Sequence, residues 1–145
     1  MMTATDTGQL SVYVVNDPID DASIASLIEI VNGDRDGRGH QAPLLIDASR
    51  ARTCWEFEDY IARIENNREN IIITNLLEPF YDTSILTREA AQILGRVKSV
   101  LESLAVNGAQ IFVLCRQRSS DLGTRSHFLA SLCASADHVH FRRST

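Results

Sequence analysis

Apolar residues along this chain fall into two kinds of run. Leu10–Val15 (LSVYVV), Leu44–Ile46, Ile71–Ile73 and Ile111–Leu114 are short, dense and aliphatic. The last two do not alternate polar with apolar, which marks strands covered on both faces, as in a central parallel sheet. The other kind recurs every three or four residues. Ile24, Leu27, Ile28 and Val31 form one such stripe, and Phe57, Tyr60, Ile61 and Ile64 a second. Ile93, Leu94, Val97, Val100, Leu101 and Leu104 form a third; Phe128, Leu129, Leu132 and Cys133 form a fourth. Each predicts a helix with one buried face. Asp137 to Arg143 (DHVHFRR) alternates and predicts an edge strand.

Turn and cap residues separate these runs. Asn16-Asp17-Pro18 ends the first strand, because proline cannot donate to a ladder. Asp20 or Asp21 can cap the first helix, which Asn32-Gly33 closes. Residues 34–41 (DRDGRGHQ) predict a mobile, solvated loop. Thr53-Cys54-Trp55-Glu56 has capping-box spacing, and Asn66-Asn67 ends the helix that follows. Thr87 can cap the long third helix, with Glu89 facing its dipole and Asn107-Gly108 at its end. SSDLGT after Arg118 reads as a loop, and the fourth helix is expected from about Arg125 to Ala134. The expected architecture is a three-layer α/β sandwich with a mostly parallel sheet of about five strands and right-handed crossovers. It forms a single domain over residues 10–145 behind a polar, flexible stretch at 1–9.

Composition narrows the function classes. The 145 residues suit one domain with a real core. No apolar run reaches membrane-spanning length, so no membrane association is expected. Cys54, Cys115 and Cys133 are odd in number and lack CxxC spacing, which argues against a disulfide framework or zinc ribbon and for a cytoplasmic setting. Net charge is −5, against generic nucleic-acid binding. Its distribution is uneven: residues 110–145 carry +3 through Arg116, Arg118, Arg125, Arg142 and Arg143, and the remainder carries −8. Lys98 is the single lysine. Arginine over lysine with surplus acid hints at a halophilic or GC-rich, archaeal source.

Ligands of an open α/β sheet bind at the carboxyl ends of its strands. Those ends here are Asn16/Asp17, Asp47/Ser49, Thr74/Asn75 and Arg116/Gln117. A phosphate loop after the first strand needs glycines and a lysine, but VVNDPIDDAS supplies neither and places acids there. Asp47 could hold Mg²⁺ or act as a base, with Asp17, Asp20 and Asp21 near it; the competing role of such aspartates is to cap turns and helices. His138 and His140 share one strand face but lack a third ligand. Cys115 beside Arg116 could have a lowered pKa and act as a nucleophile with a histidine such as His127.

The segment from Asn70, NIIITNLLEPFYDTSILTREAAQILGRVKSVLESLAVNGAQIFVLCRQ, resembles the Walker B strand, following helix and next strand of RecA/RadA-type recombinases and their KaiC-like relatives. RSHFLASLCASADHVHFRRS resembles that family's closing segment, and LLIDAS its "YIDTE"-like strand. The resemblance spans about residues 42–144 and rests on pattern and spacing. It implies a RecA-like P-loop NTPase topology, here without the P-loop. The Walker A loop is absent, and Thr74 or Asn75 stands in place of the Walker B aspartate. Asp47 matches a family aspartate, but Ala48-Ser49 follows where the family has the glutamate expected to be its catalytic base. Gln117 matches the glutamine of an Asn-Gln pair, with Arg116 in place of the asparagine. A family strand between the "YIDTE" strand and Walker B has no counterpart. The family's DNA-contacting loop corresponds to residues 118–125.

The resemblance therefore implies a non-catalytic accessory or regulatory protein, a pseudo-ATPase with no cofactor and no metal. Its expected partners are a RecA-fold ATPase or recombinase, or further copies of itself, in a setting of DNA repair or recombination. Weak nucleic-acid contact would fall to Arg116, Arg118, Arg125, Arg142 and Arg143, and Asp47, Asn75 and Gln117 would line the crevice. Two alternatives compete. One is a receiver-like signalling module with Asp47 as phosphoacceptor, VVNDP as its acidic turn and Thr74 as its hydroxyl. The other is a small hydrolase or transferase built on Asp47 with Cys115 or His127.

Overall fold

The computed structural model describes residues 8–16, 19–33, 43–64, 70–117, 125 and 127–142. Strands β1 (Leu10–Val15), β2 (Leu44–Asp47), β3 (Asn70–Thr74), β4 (Gln110–Arg116) and β5 (His138–Arg142) alternate with helices α1 (Asp21–Gly33), α2 (Cys54–Ala62), α3 (Thr87–Val106) and α4 (His127–Ala134). Short 3-10 turns follow β2 and β3, at Ala48–Arg50 and Glu78–Tyr81. All pairings are parallel, and the strands lie in the order β2-β3-β4-β1-β5. The expected three-layer α/β sandwich with a five-stranded parallel sheet is what the chain forms.

That order explains the layers. The chain leaves β1, crosses to the far edge at β2, then winds back strand by strand, passing β1 to reach β5. A right-handed crossover places its helix on one face when the chain moves one way and on the other face when it returns. Accordingly α1 is the one helix on one face among the described residues, where Leu27 packs on Ile72 and Leu114 with Tyr13, Val15 and Phe112 alongside. Helices α2, α3 and α4 cover the other, meeting Val12, Ile71, Ile73, Ile111 and Val113 through Phe57, Ile61, Ile93, Val97, Leu101, Phe128 and Leu132. Ile71, Ile72 and Ile73 are each fully buried, as their unalternating sequence predicts, because both faces of β3 are covered.

Local chemistry fixes the element ends, with some corrections. Thr53 caps α2 through its Oγ1, which accepts from the Glu56 N–H at 3.1 Å. The Glu56 carboxylate returns to the N–H of Arg52, one residue earlier than the usual reciprocal box. α3 begins without a side-chain cap: Leu86 holds the N-cap position and Thr87 is the first helical residue. Its end is as expected, with Asn107 at the C-cap and Gly108 at φ 109°, a value natural for glycine alone. α4 starts at His127, because Arg125 belongs to a separate turn. Tyr60, expected on the buried stripe of α2, is 49% exposed. The helix lies at the margin of the sheet, so only Cys54, Phe57 and Ile61 face inward.

The stretch expected to fray before β1 is docked at its end. Gly8 donates to the Ala105 carbonyl at 2.7 Å, and the Gln9 carbonyl accepts from Ile111 N–H at 2.8 Å. A side chain at position 8 would collide with the Ala109 backbone, so this close approach requires glycine. The loop expected at 34–41 lies outside the described residues. Among the described residues no helix is long and apolar enough to cross a membrane.

Candidate functional site

The carboxyl ends of the strands gather most of the candidate residues. β3 ends at Thr74, and Asn75 turns the chain with φ 58°, in the left-handed region that asparagine tolerates better than most residues. Its N–H donates to the Leu114 carbonyl at 3.0 Å, which anchors the turn to β4. Its side chain then reaches Asp47 at the end of the neighbouring β2, Nδ2 donating to Oδ1 at 3.2 Å. The same oxygen accepts from Ser49 Oγ at 2.7 Å and from Ser49 N–H at 3.1 Å, so Asp47 caps the 3-10 turn that follows it. Arg50 Nε stands 3.9 Å from Oδ2 in an exposed ion pair. Partial burial pushes the Asp47 carboxyl up, but hydrogen bonds from Ser49, Asn75 and Thr74 outweigh it and hold the group below the ordinary aspartate range. Its Oδ1 is thus engaged as a hydrogen-bond acceptor at the start of the 3-10 turn.

Asp21 joins Asp47 at a cleft of about 360 Å³, lined also by Ile24, Leu45, Arg50 and Thr74. Asp20 does not contribute its carboxylate: Oδ1 accepts from Ser23 N–H at 2.9 Å and Ser23 Oγ at 3.0 Å. Asp82, after β3, accepts from Ser84 N–H at 2.9 Å and Ser84 Oγ at 2.8 Å, two residues on, as Asp47 does from Ser49. Asp17 lies outside the described residues.

At the next strand end, Arg116 and Gln117 are exposed. The Gln117 N–H donates to the Val15 carbonyl at 2.7 Å, so the end of β4 is bonded to the end of β1. This is where the winding reverses, since α1 leaves β1 to one face and α4 follows β4 on the other; in open α/β sheets such a point is the usual ligand crevice. Asp47 and Asn75 lie beyond it, on β2 and β3, so the candidates form two groups along one edge.

Arg125, expected on a basic surface, is 6% exposed. Its guanidinium donates to the carbonyls of Phe80 at 2.9 Å, Asp82 at 2.7 Å, and Ile85. It ties the segment after β4 to the turn after β3 and presents no charge outward. Arg118 and Arg143 lie outside the described residues; Arg142 ends β5 opposite Val15. Lys98 Nζ donates to Ser131 Oγ at 2.8 Å, joining α3 to α4 away from the strand ends.

The remaining candidates separate in the same way. Cys115 is buried, and burial drives its thiol well above the ordinary cysteine range, opposite to the activation expected beside Arg116. His127 packs edge-on against Phe128. His138 and His140 share a face with ring centroids 6.4 Å apart, but His140 stacks on Tyr13 and His138 Nε2 meets Gln9 Oε1 at 3.1 Å. Among the described residues no three His, Cys, Asp or Glu side chains gather as metal ligands.

A second feature carries no sequence signature. The free edge of β2 and the outer side of α2 border a groove of about 330 Å³ lined by Leu45, Ile46, Phe57 and Tyr60. Leu45 and Tyr60 are both about half exposed there. Only the exposure of Tyr60 on an otherwise buried helical stripe marks the place. In comparison with known proteins, no family model matches the chain and no curated protein matches it.

Proposed function

We propose that this protein is a non-catalytic RecA-like module that acts by binding another protein, a RecA-fold partner or a further copy of itself. The observation that carries this reading is the state of the strand-end acids. Asp47 is occupied by Ser49, Asn75 and Arg50, and Thr74 or Asn75 stands where the resemblance places a metal-holding carboxylate. Asp20 and Asp82 likewise accept from nearby serines, Ser23 three residues on and Ser84 two residues on. The exposed Leu45 and Tyr60 at the β2 margin are the complementary support, since half-exposed apolar side chains grouped at one margin favour a protein contact. Nucleic-acid contact is a lesser part of the reading, because Arg125 is internal and, of the five candidate arginines, Arg116 and Arg142 are the described ones left.

A receiver-like reading has one observation in its favour, the cleft shared by Asp21, Asp47 and Thr74. The strand order weighs against it. Receiver-type domains follow the order 2-1-3-4-5, which sets the first strand beside the second, whereas here β3 and β4 separate them.

Calorimetric titration with Mg·ATP separates the readings. We expect no saturable heat at millimolar nucleotide and no labelling of Asp47 by a small phosphodonor. Saturable nucleotide binding would overturn the proposal; labelling abolished by Asp47→Asn would establish the receiver-like alternative.

A further inference from the structure

We infer that two copies of this chain pair through their β2 edges, antiparallel across a two-fold axis, to make one continuous ten-stranded sheet. This rests on the binding-module reading and names its partner as a second copy. Among the described residues β2 is hydrogen-bonded to β3 alone and stands at the end of the sheet. Edge strands are normally guarded by charge or proline within the strand. β5, the other edge, carries Arg142 and two polar histidines beside an exposed Phe141, whereas Leu44-Leu45-Ile46 places no charge before Asp47.

The flanks of β2 fit a second copy in this one orientation. With the axis at Leu45, that residue faces its own copy, Leu44 faces Ile46, and Asp47 faces Pro43. The two Asp47 carboxylates then stand four residues apart along the sheet, roughly 13 Å, and do not repel at contact. Leu45 becomes covered on one sheet face and Tyr60 on the other. Because α2 runs antiparallel to β2, the same axis sets α2 antiparallel to its copy. Glu56, Tyr60 and Arg63 follow one another at helical spacing on the outer side of α2, all exposed. Antiparallel helices therefore bring Glu56 of each copy to Arg63 of the other, with the tyrosines between them. Among the described residues Arg63 pairs with Asp59 at 3.0 Å, an exposed pair that is readily exchanged. This charge complementarity is self-directed: any partner lacking the same acid-tyrosine-base order would leave one end mismatched.

Sedimentation velocity of the full chain, from micromolar to about millimolar, tests the pairing. A concentration-dependent monomer–dimer equilibrium is expected. Leu45→Lys is expected to leave a monomer of unchanged melting temperature. Arg63→Glu and Glu56→Arg each weaken pairing about tenfold alone, while an equimolar mixture of the two recovers it as a heterodimer, since each acid again meets a base. A chain that stays monomeric at about millimolar overturns the inference. So does a dimer indifferent to Leu45→Lys, or a mixture no better than its components. Circular dichroism of Glu56→Arg checks the helix start, where Glu56 also caps Arg52. The binding-module reading fails separately, on nucleotide calorimetry, so a monomer that binds no nucleotide overturns only the pairing.

Discussion

The two faces of the sheet are built to different depths. On one, three helices bury a continuous core that runs from Leu10 on β1 to Leu132 on α4. On the other, α1 alone buries Leu27, Ile72 and Leu114, and its further contacts, Tyr13, Phe112 and Ile24 among them, stay partly open to water. The strands are common to both, so composition is not the cause. The cause is winding: a single crossover runs from β1 to β2, and three run back. A face receives helices according to the direction in which the chain travels, and its share of stability follows.

Paired truncations would break this comparison most directly. Phe57→Ala, on the deep face and edge-to-face with Phe80, is expected to cost about 4 kcal/mol. Leu27→Ala on the shallow face should cost about 2 kcal/mol, since its neighbours there are already partly open to water. Denaturant melts of both variants measure the difference, and equal losses would mean that α1 is packed as firmly as the three-helix layer. Arg125→Met probes what pins the deep face. Methionine keeps much of the volume but leaves the carbonyls of Phe80, Asp82 and Ile85 without their donor, so about 2 kcal/mol should be lost. An unchanged melting temperature would show that the clamp is dispensable.

Acid provides the smallest effect. Asp47 has a folded pKa below its unfolded value of about 3.9, so its contribution is complete above that value and is lost as pH falls through the folded pKa. Asp20 and Asp82 shift in the same direction, through hydrogen bonds from Ser23 and Ser84. Because Asp47 is partly exposed, its share is less than about 1 kcal/mol. Asp47→Asn should lower the guanidinium midpoint at pH 6 and match the parent once the carboxylate is protonated. A deficit that persists in acid would place the loss elsewhere than in the carboxylate.

Much of this architecture is legible in the sequence because strongly covered strands announce themselves. Ile71-Ile72-Ile73 has no polar residue to spare for solvent, and the six-residue stripe of α3 admits one orientation. The exposure of Tyr60 has a physical reason: periodicity shows which residues share a helix face but not how wide an arc the sheet covers, and α2 sits where the sheet ends. Arg125 defeated a charge-based reading since its partners are main-chain carbonyls some forty residues away, which leave no trace in side-chain identity. Cys115 misled similarly, because sequence proximity to Arg116 says nothing of burial. Asn75 was half legible. Asparagine after a buried strand suggests a left-handed turn, but its reach to Asp47 depends on β2 and β3 being neighbours.

The position of β1 has a consequence for how the chain is made. β1 is the earliest strand in the sequence, yet both of its partners, β4 and β5, come from beyond residue 109. During synthesis LSVYVV emerges about a hundred residues before β4, a wait of roughly 5–20 s at ordinary elongation rates. β2, β3 and β4 can assemble in order as they appear, while an apolar strand without a ladder stays exposed to the cell's chaperones. Sheet closure thus depends on long-range pairing, since β1 gains its neighbours β4 and β5 only after about a hundred further residues have been made.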